Sequence, residues 1–156
     1  MLNEFDISAL LVTFKLAVFS TLILLLIGTP LAWWLSQTRF RFKAIFEAII
    51  ALPLVLPPTV LGFYLLITLG PNGPIGKFLE SLGGTSIAFT FSGLVVGSVI
   101  YSMPFVVQPL QNSFSGIGRR PLEVAATLGA SPLDRFFTVV VPLARSGFVT
   151  ASILGF

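Results

Sequence analysis

Few residues in this chain are equipped for chemistry. It has no cysteine and no histidine, and only six acids among 156 residues. That removes disulfides, thiol nucleophiles and thiolate metal sites. It also removes the commonest general base and the commonest transition-metal ligand. A membrane phosphatase or transferase would need acids, His or Cys clustered near one interface, and the sequence offers no such cluster. Polar residues concentrate instead in 122–147, LEVAATLGASPLDRFFTVVVPLARSG, where Glu123, Asp134, Arg135 and Arg145 follow in quick order. Small residues (Ala125, Ala126, Gly129, Ala130) are packed between them. That composition suits recognition of another surface rather than bond-making.

The local pattern over 119–142 predicts two short helices joined by a tight turn. Pro121 suits the first helical position, and Glu123 the positive N-terminal end. Leu122, Ala125, Ala126 and Gly129 fall three and four apart, giving one shallow, weakly apolar face, and Gly129 suits the stop. Ser131-Pro132-Leu133-Asp134 reads as a fresh capping box with proline at the first turn. The alternative is an amphipathic helix resting on lipid headgroups. Such helices carry bulky apolar residues on one face and many cations on the other, and 122–129 has neither. A face of Ala and Gly beside an acid suits insertion into a protein cleft.

The elements that must position this hairpin are hydrophobic. Apolar residues make up 55% of the chain, mean hydropathy is +1.00, and charged residues are 10% against about 25% in soluble domains. This predicts an all-α integral membrane protein, a polytopic helical bundle. The pI near 9.8 reflects a net charge of only +3, with cations beside apolar runs as in cytosolic membrane loops, so nucleic acid is not the expected partner. Spans are expected over about 10–35, 45–69, 87–112 and 146–156. The first follows Glu4 and Asp6, so it reads as a retained span rather than a cleaved signal. The second carries Pro53, Pro57 and Pro58, which predicts a kink or an interrupted middle. Segment 70–86, rich in Gly and Pro, is expected to be an exposed loop. In the third, Gly93 and Gly97 have the small-xxx-small spacing of close helix approach. The fourth is about half a crossing long at 1.5 Å per residue. It stops without cap or charge, so the chain is expected to be truncated within a late span, with at least one more to follow. Arg39, Arg41 and Lys43, with Arg119, Arg120, Arg135 and Arg145, outnumber Lys15 and Lys77 on the other side. The positive-inside rule then places 119–145 in the cytosol and the N-terminus outside.

The segment 123–142 resembles the cytosolic signature of ABC importer permeases: Glu-Ala-Ala, three residues, Gly, nine residues, Ile-x-Leu-Pro. Glu123, Val124 and Ala125 match its start, Gly129 its glycine, and Val139, Val140, Val141 and Pro142 its end. Both gaps agree; Val124, Val139 and Val141 are apolar-for-apolar departures. Segments 51–66 (ALPLVLPPTVLGFYLL), 98–114 (SVIYSMPFVVQPLQNSF) and 128–145 (LGASPLDRFFTVVVPLAR) resemble the molybdate branch of the type I family, with sulfate and tungstate permeases as near relatives. The likeness runs across nearly the whole chain. It implies half of a homodimeric pore in a prokaryotic plasma (inner) membrane. Two cytosolic ATPase subunits would bring ATP and Mg²⁺, with no cofactor in this chain, and a periplasmic or surface-anchored binding protein would deliver molybdate. It further implies that Glu123, Val124, Ala125, Gly129 and Pro142 couple to the ATPase. No cation lies in the middle of a span, so weak contacts to an oxyanion would fall to hydroxyls: Thr59, Ser98 and Ser102. For these the alternative is bonding between helices or back to a carbonyl. For Pro53, Pro57 and Pro58 the alternatives are a hinge or a packing kink. A permease for sulfate or tungstate, or a scaffold anchoring a cytosolic protein without a pore, are the competing functions.

Overall fold

A computed structural model of the chain describes residues 4–39 and 41–156. In order, the helices are α1 (Glu4–Gln37), α2 (Lys43–Val55), α3 (Pro58–Leu69), α4 (Pro74–Ser81), α5 (Phe91–Ile117), α6 (Arg120–Thr127), α7 (Pro132–Arg135), α8 (Val141–Leu143) and α9 (Arg145–Gly155). A π-helical turn, Phe136–Val140, joins α7 to α8. Among the described residues, two helices, α1 and α5, are long and apolar enough to cross a membrane, or up to four crossings if each bent pair counts as one. Side chains such as Leu10, Phe14, Leu22 and Leu26 on α1 stand exposed. A continuous apolar surface of that kind is the lipid-facing side of a membrane helix.

Ring and hydrogen-bond contacts set the topology. Phe19 meets Phe91 and Trp33 meets Phe114, so α1 and α5 run parallel. Trp34 meets Phe46, and Glu47 meets Gln111, so α2 returns antiparallel to both. Gly147 lies on Ser113 while Gly155 lies on Val106, so α9 runs antiparallel to α5. The core runs along these seams: Leu24, Ala32 and Leu35 of α1, Val106, Val107, Leu110 and Phe114 of α5, and Ala151 of α9 are buried.

Several elements differ from the sequence expectation. α1 extends beyond 10–35 at both ends, and α5 begins at Phe91 rather than 87, because Thr90 caps it by accepting from Gly93 N–H. The second span is broken into α2 and α3, and the runs Lys43–Val55 and Pro58–Ser81 meet at 110°. The paired prolines are the cause. Leu56 and Pro57, each preceding a proline, are extended at ψ 133° and 139°, as residues before proline prefer. Pro58 then starts α3 where its missing N–H costs nothing.

Segment 70–86 is not all loop, since Pro74 opens α4. Its glycines serve close approach: a Cβ on Gly73 would strike the Ile67 and Thr68 carbonyls, and one on Gly76 the Gly70 carbonyl. The Gly93/Gly97 pair is not the tight seam either. A Cβ on Gly97 would meet Leu65 in ordinary contact at 3.6 Å, and one on Gly93 would strike the Ile87 carbonyl that precedes its own helix. The close seam is Gly147, Ala151 and Gly155, four apart on α9 and all buried against α5.

Candidate functional site

The hairpin over 119–142 is built from two complementary caps. α5 ends at Gly118, whose φ of 71° and ψ of −173° lie in a region essentially reserved for glycine. α6 then starts at Arg120, one residue before the expected Pro121, with Glu123 in its first turn. At its other end the N–H groups of Gly129 and Ala130 donate to the carbonyls of Ala126 and Ala125, at 3.0 and 3.1 Å. That is a Schellman closure, and it requires the φ of +84° that Gly129 adopts. Next, Ser131 Oγ accepts from Asp134 N–H at 3.2 Å, and Asp134 Oδ2 accepts from Ser131 N–H at 3.2 Å and from Ser131 Oγ–H at 2.6 Å. These bonds favour the ionised form, so the hydroxyl and backbone of Ser131 hold the Asp134 carboxyl below its ordinary range.

The exposed face of α6 is not the shallow one expected. Leu122 and Ala125 turn inward and are half-buried, Leu122 against the core. Outward stand Glu123, Val124, Ala126, Thr127 and Leu128, followed by Leu133 and Phe137. Leu128 is 82% exposed and Leu133 71%, so the hairpin carries bulky apolar residues outward as well as small ones.

The second helix is longer than a short turn, because α7, the π turn and α8 form one run, Pro132–Leu143, set at 74° to α9. Pro142 accounts for the widened turn. It has no N–H for the Thr138 carbonyl, and in a regular α-helix its ring would strike that group. The ladder slips instead, and Val141 N–H donates to the Phe136 carbonyl five residues back. The slip places Phe136 against Trp33 of α1 at 5.4 Å between ring centroids and against Phe114 of α5 at 6.2 Å. Phe148 of α9 meets Phe114 at 5.9 Å. The aromatic cluster thus joins the hairpin to three membrane helices.

The remaining expected residues are dispersed. Thr59 is exposed in the first turn of α3. Ser98 is half-buried and lines a cleft of about 300 Å³ between α3 and α5, and Ser102 lies one turn further along. Unlike Thr13, Thr68 and Ser152, which donate to carbonyls four residues back, these three hydroxyls make no such bond. Pro53 is buried inside α2, whereas Pro57 and Pro58 form the break.

A more polar cleft of about 420 Å³, between α2 and α5, had not been singled out from sequence. Glu47, Gln108, Gln111 and Asn112 line it. Gln111 Nε2 donates to Glu47 Oε1 at 2.5 Å, and Lys43 Nζ lies 3.6 Å from the same oxygen. The signal was available: amides at 108, 111 and 112 share one helical face, and Glu47 follows Lys43 by one turn.

Apolar spans, one of them broken by paired prolines, and a capped hairpin anchored to them by aromatic rings define an α-helical membrane component. The chain belongs to the family of binding-protein-dependent transport system inner membrane components, whose model matches residues 25–156. It is 64% identical over 155 residues to the molybdenum transport system permease protein ModB of Azotobacter vinelandii, covering 99% of this chain and 69% of that relative. The ModB proteins of Haemophilus influenzae and Escherichia coli K12 are 38% and 33% identical, over 97% and 100% of this chain and 66% and 68% of theirs. The chain therefore spans about two thirds of the length of these relatives. Family membership makes it a transport component of the membrane rather than an enzyme.

Proposed function

We propose that this chain is the membrane-spanning permease subunit of an ATP-driven molybdate importer. The observation that carries the reading is the hairpin. Glu123, Val124 and Gly129 of its signature are exposed at one end, while its second helix is keyed through Phe136 into Trp33 and Phe114. Glu123, Val124 and Gly129 present the surface that a cytosolic ATPase grips, with Ala125 half-buried behind them. Pro142 sets the π turn that aims Phe136 at the core. ATP and Mg²⁺ act in the ATPase pair. Closure of that pair pushes the hairpin, and the aromatic cluster passes the push to α1, α5 and α9 as a rigid lever between two arrangements.

Two copies of the permease enclose the pathway in a prokaryotic inner membrane, with the N-terminus outside and a binding protein delivering the anion. The break at Pro57–Pro58 gives α2 and α3 a hinge. Thr59, Ser98 and Ser102, with the amides of the α2–α5 cleft, offer neutral donors, which hold a dianion weakly enough to release it. The substrate assignment is supported by similarity to permeases named for molybdenum. It is tested by uptake of labelled molybdate in cells carrying the complete operon, with excess sulfate as competitor. Uptake should persist, and sulfate competing equally well removes the molybdate assignment.

A further inference from the structure

At the end of the bundle from which the hairpin emerges, a small cleft of about 160 Å³ opens between the C-terminal ends of α1 and α5. It is lined by Ser36, Gln37 and Arg39 on one side and by Phe114, Ser115, Gly118 and Arg119 on the other. Arg39 and Arg119 both line this cleft, and neither has a carboxylate partner among the described residues. Lys43–Glu47 is the ion pair among the described residues. The other acids are committed or distant. Asp134 is held by Ser131. Glu4 and Asp6 lie at the opposite end of α1, and Glu80 on α4. Glu123, one turn beyond Arg119, points outward without reaching either arginine within ion-pair distance.

Gly118 sets the course of the chain at this cleft. Its φ of 71° with ψ of −173° lets α5 end and turn Arg119 into the cleft, a conformation strained for any residue with a Cβ. The surroundings are those of a membrane boundary. Phe114 forms the inner wall. At the same level of α1, the half-exposed rings of Trp34 and Phe46 stack edge to face at 5.3 Å, the amphipathic setting in which indole rings meet headgroups.

We propose that this cleft binds the phosphate of an anionic membrane lipid, with Arg39 and Arg119 as its two charged contacts and Trp34 and Phe46 beside the acyl chains. Two cationic residues lining one cleft repel each other, and a phosphodiester relieves that repulsion while accepting the fork-shaped donors of arginine. Basic pockets between transmembrane helices favour such headgroups. A lipid held here bridges α1 and α5 at the root of the hairpin, where it would stiffen the lever.

The test uses the full-length permease purified in detergent and in nanodiscs. Phosphatidylglycerol should be retained in native mass spectra and raise the melting temperature, whereas phosphatidylcholine should do neither. The double variant Arg39→Gln, Arg119→Gln should weaken retention about twenty-five-fold, on roughly a fivefold factor per arginine at an anionic surface. Arg41→Gln with Arg120→Gln, outside the cleft lining, should leave retention unchanged. Co-purified lipid, counted by mass spectrometry, keeps the comparison valid should melting change for other reasons. Equal retention of phosphatidylcholine, or undiminished phosphatidylglycerol in the double variant, overturns the proposal. So does an equal rise in melting temperature from inorganic phosphate or molybdate alone, which would make the cleft a free-oxyanion site.

Discussion

At the scale of single residues, the hairpin depends on conformations and protons that few side chains supply. Gly129 sits at φ +84° with open space around it. Changing Gly129 to Val therefore meets backbone strain rather than a clash, about 1–2 kcal/mol for an L-residue in the left-handed region. The expected outcome is loss of co-purification with the ATPase while membrane insertion persists, and unchanged co-purification would reject the docking role. Asp134 makes the hairpin sensitive to pH. Its carboxyl titrates lower when folded than when free because Ser131 bonds the ionised form. The cap's contribution is therefore complete above the free carboxylate range, near 4, and is lost as pH falls through the lowered folded value. Amide protection factors at residues 131 and 133–135, corrected for the intrinsic pH dependence of exchange and followed from pH 6 downward, should fall across that window, and Asp134→Ala should abolish the dependence. Both caps were legible in the sequence, because capping chemistry lies within a few residues of its own backbone. The outward bulk of Leu128 and Leu133 was not, since helix periodicity tells which residues share a face but not which face meets a neighbour.

At the scale of elements, the π turn matters most. Pro142 was recognisable as the end of a signature, but its consequence, a slipped ladder that turns Phe136 toward Trp33 and Phe114, depends on rings from two other helices. Truncating the half-buried ring by Phe136→Ala should leave the caps and the outward face of α6 intact. The variant is expected to bind the ATPase normally in a pull-down yet transport far less substrate per ATP hydrolysed in proteoliposomes. Normal coupling would remove the lever from the mechanism. The broken span obeys the opposite logic. Leu56, Pro57 and Pro58 impose extended backbone wherever they lie, so an interruption was readable, whereas the 110° between its halves was not.

Across the whole molecule, small residues let α9 and α1 close onto the bulky core side chains of α5. Gly147, Ala151 and Gly155 let α9 approach α5, and Gly28 lets α1 approach Val106, where an added Cβ would lie at 3.3 Å. Without a hydrophobic driving force between helices in lipid, such close packing is the main source of association. Ala151 is fully buried, so Ala151→Leu should destabilise by about 1–3 kcal/mol through overpacking, seen as a lower detergent melting temperature. Ala151→Gly should be far milder, and equal tolerance of Leu would show that the seam is loose. By itself the sequence determined the membrane class, the interruption at the paired prolines and the capped hairpin. Each of these follows from local backbone chemistry or from how much apolar surface a segment carries. Only the tertiary structure decided which glycines face a neighbour, that Glu47 of α2 meets Gln111 of α5, and that Arg39 and Arg119 share one cleft. Those pairings join residues tens of positions apart, and their geometry is set by helix rotation and crossing, which no local pattern encodes.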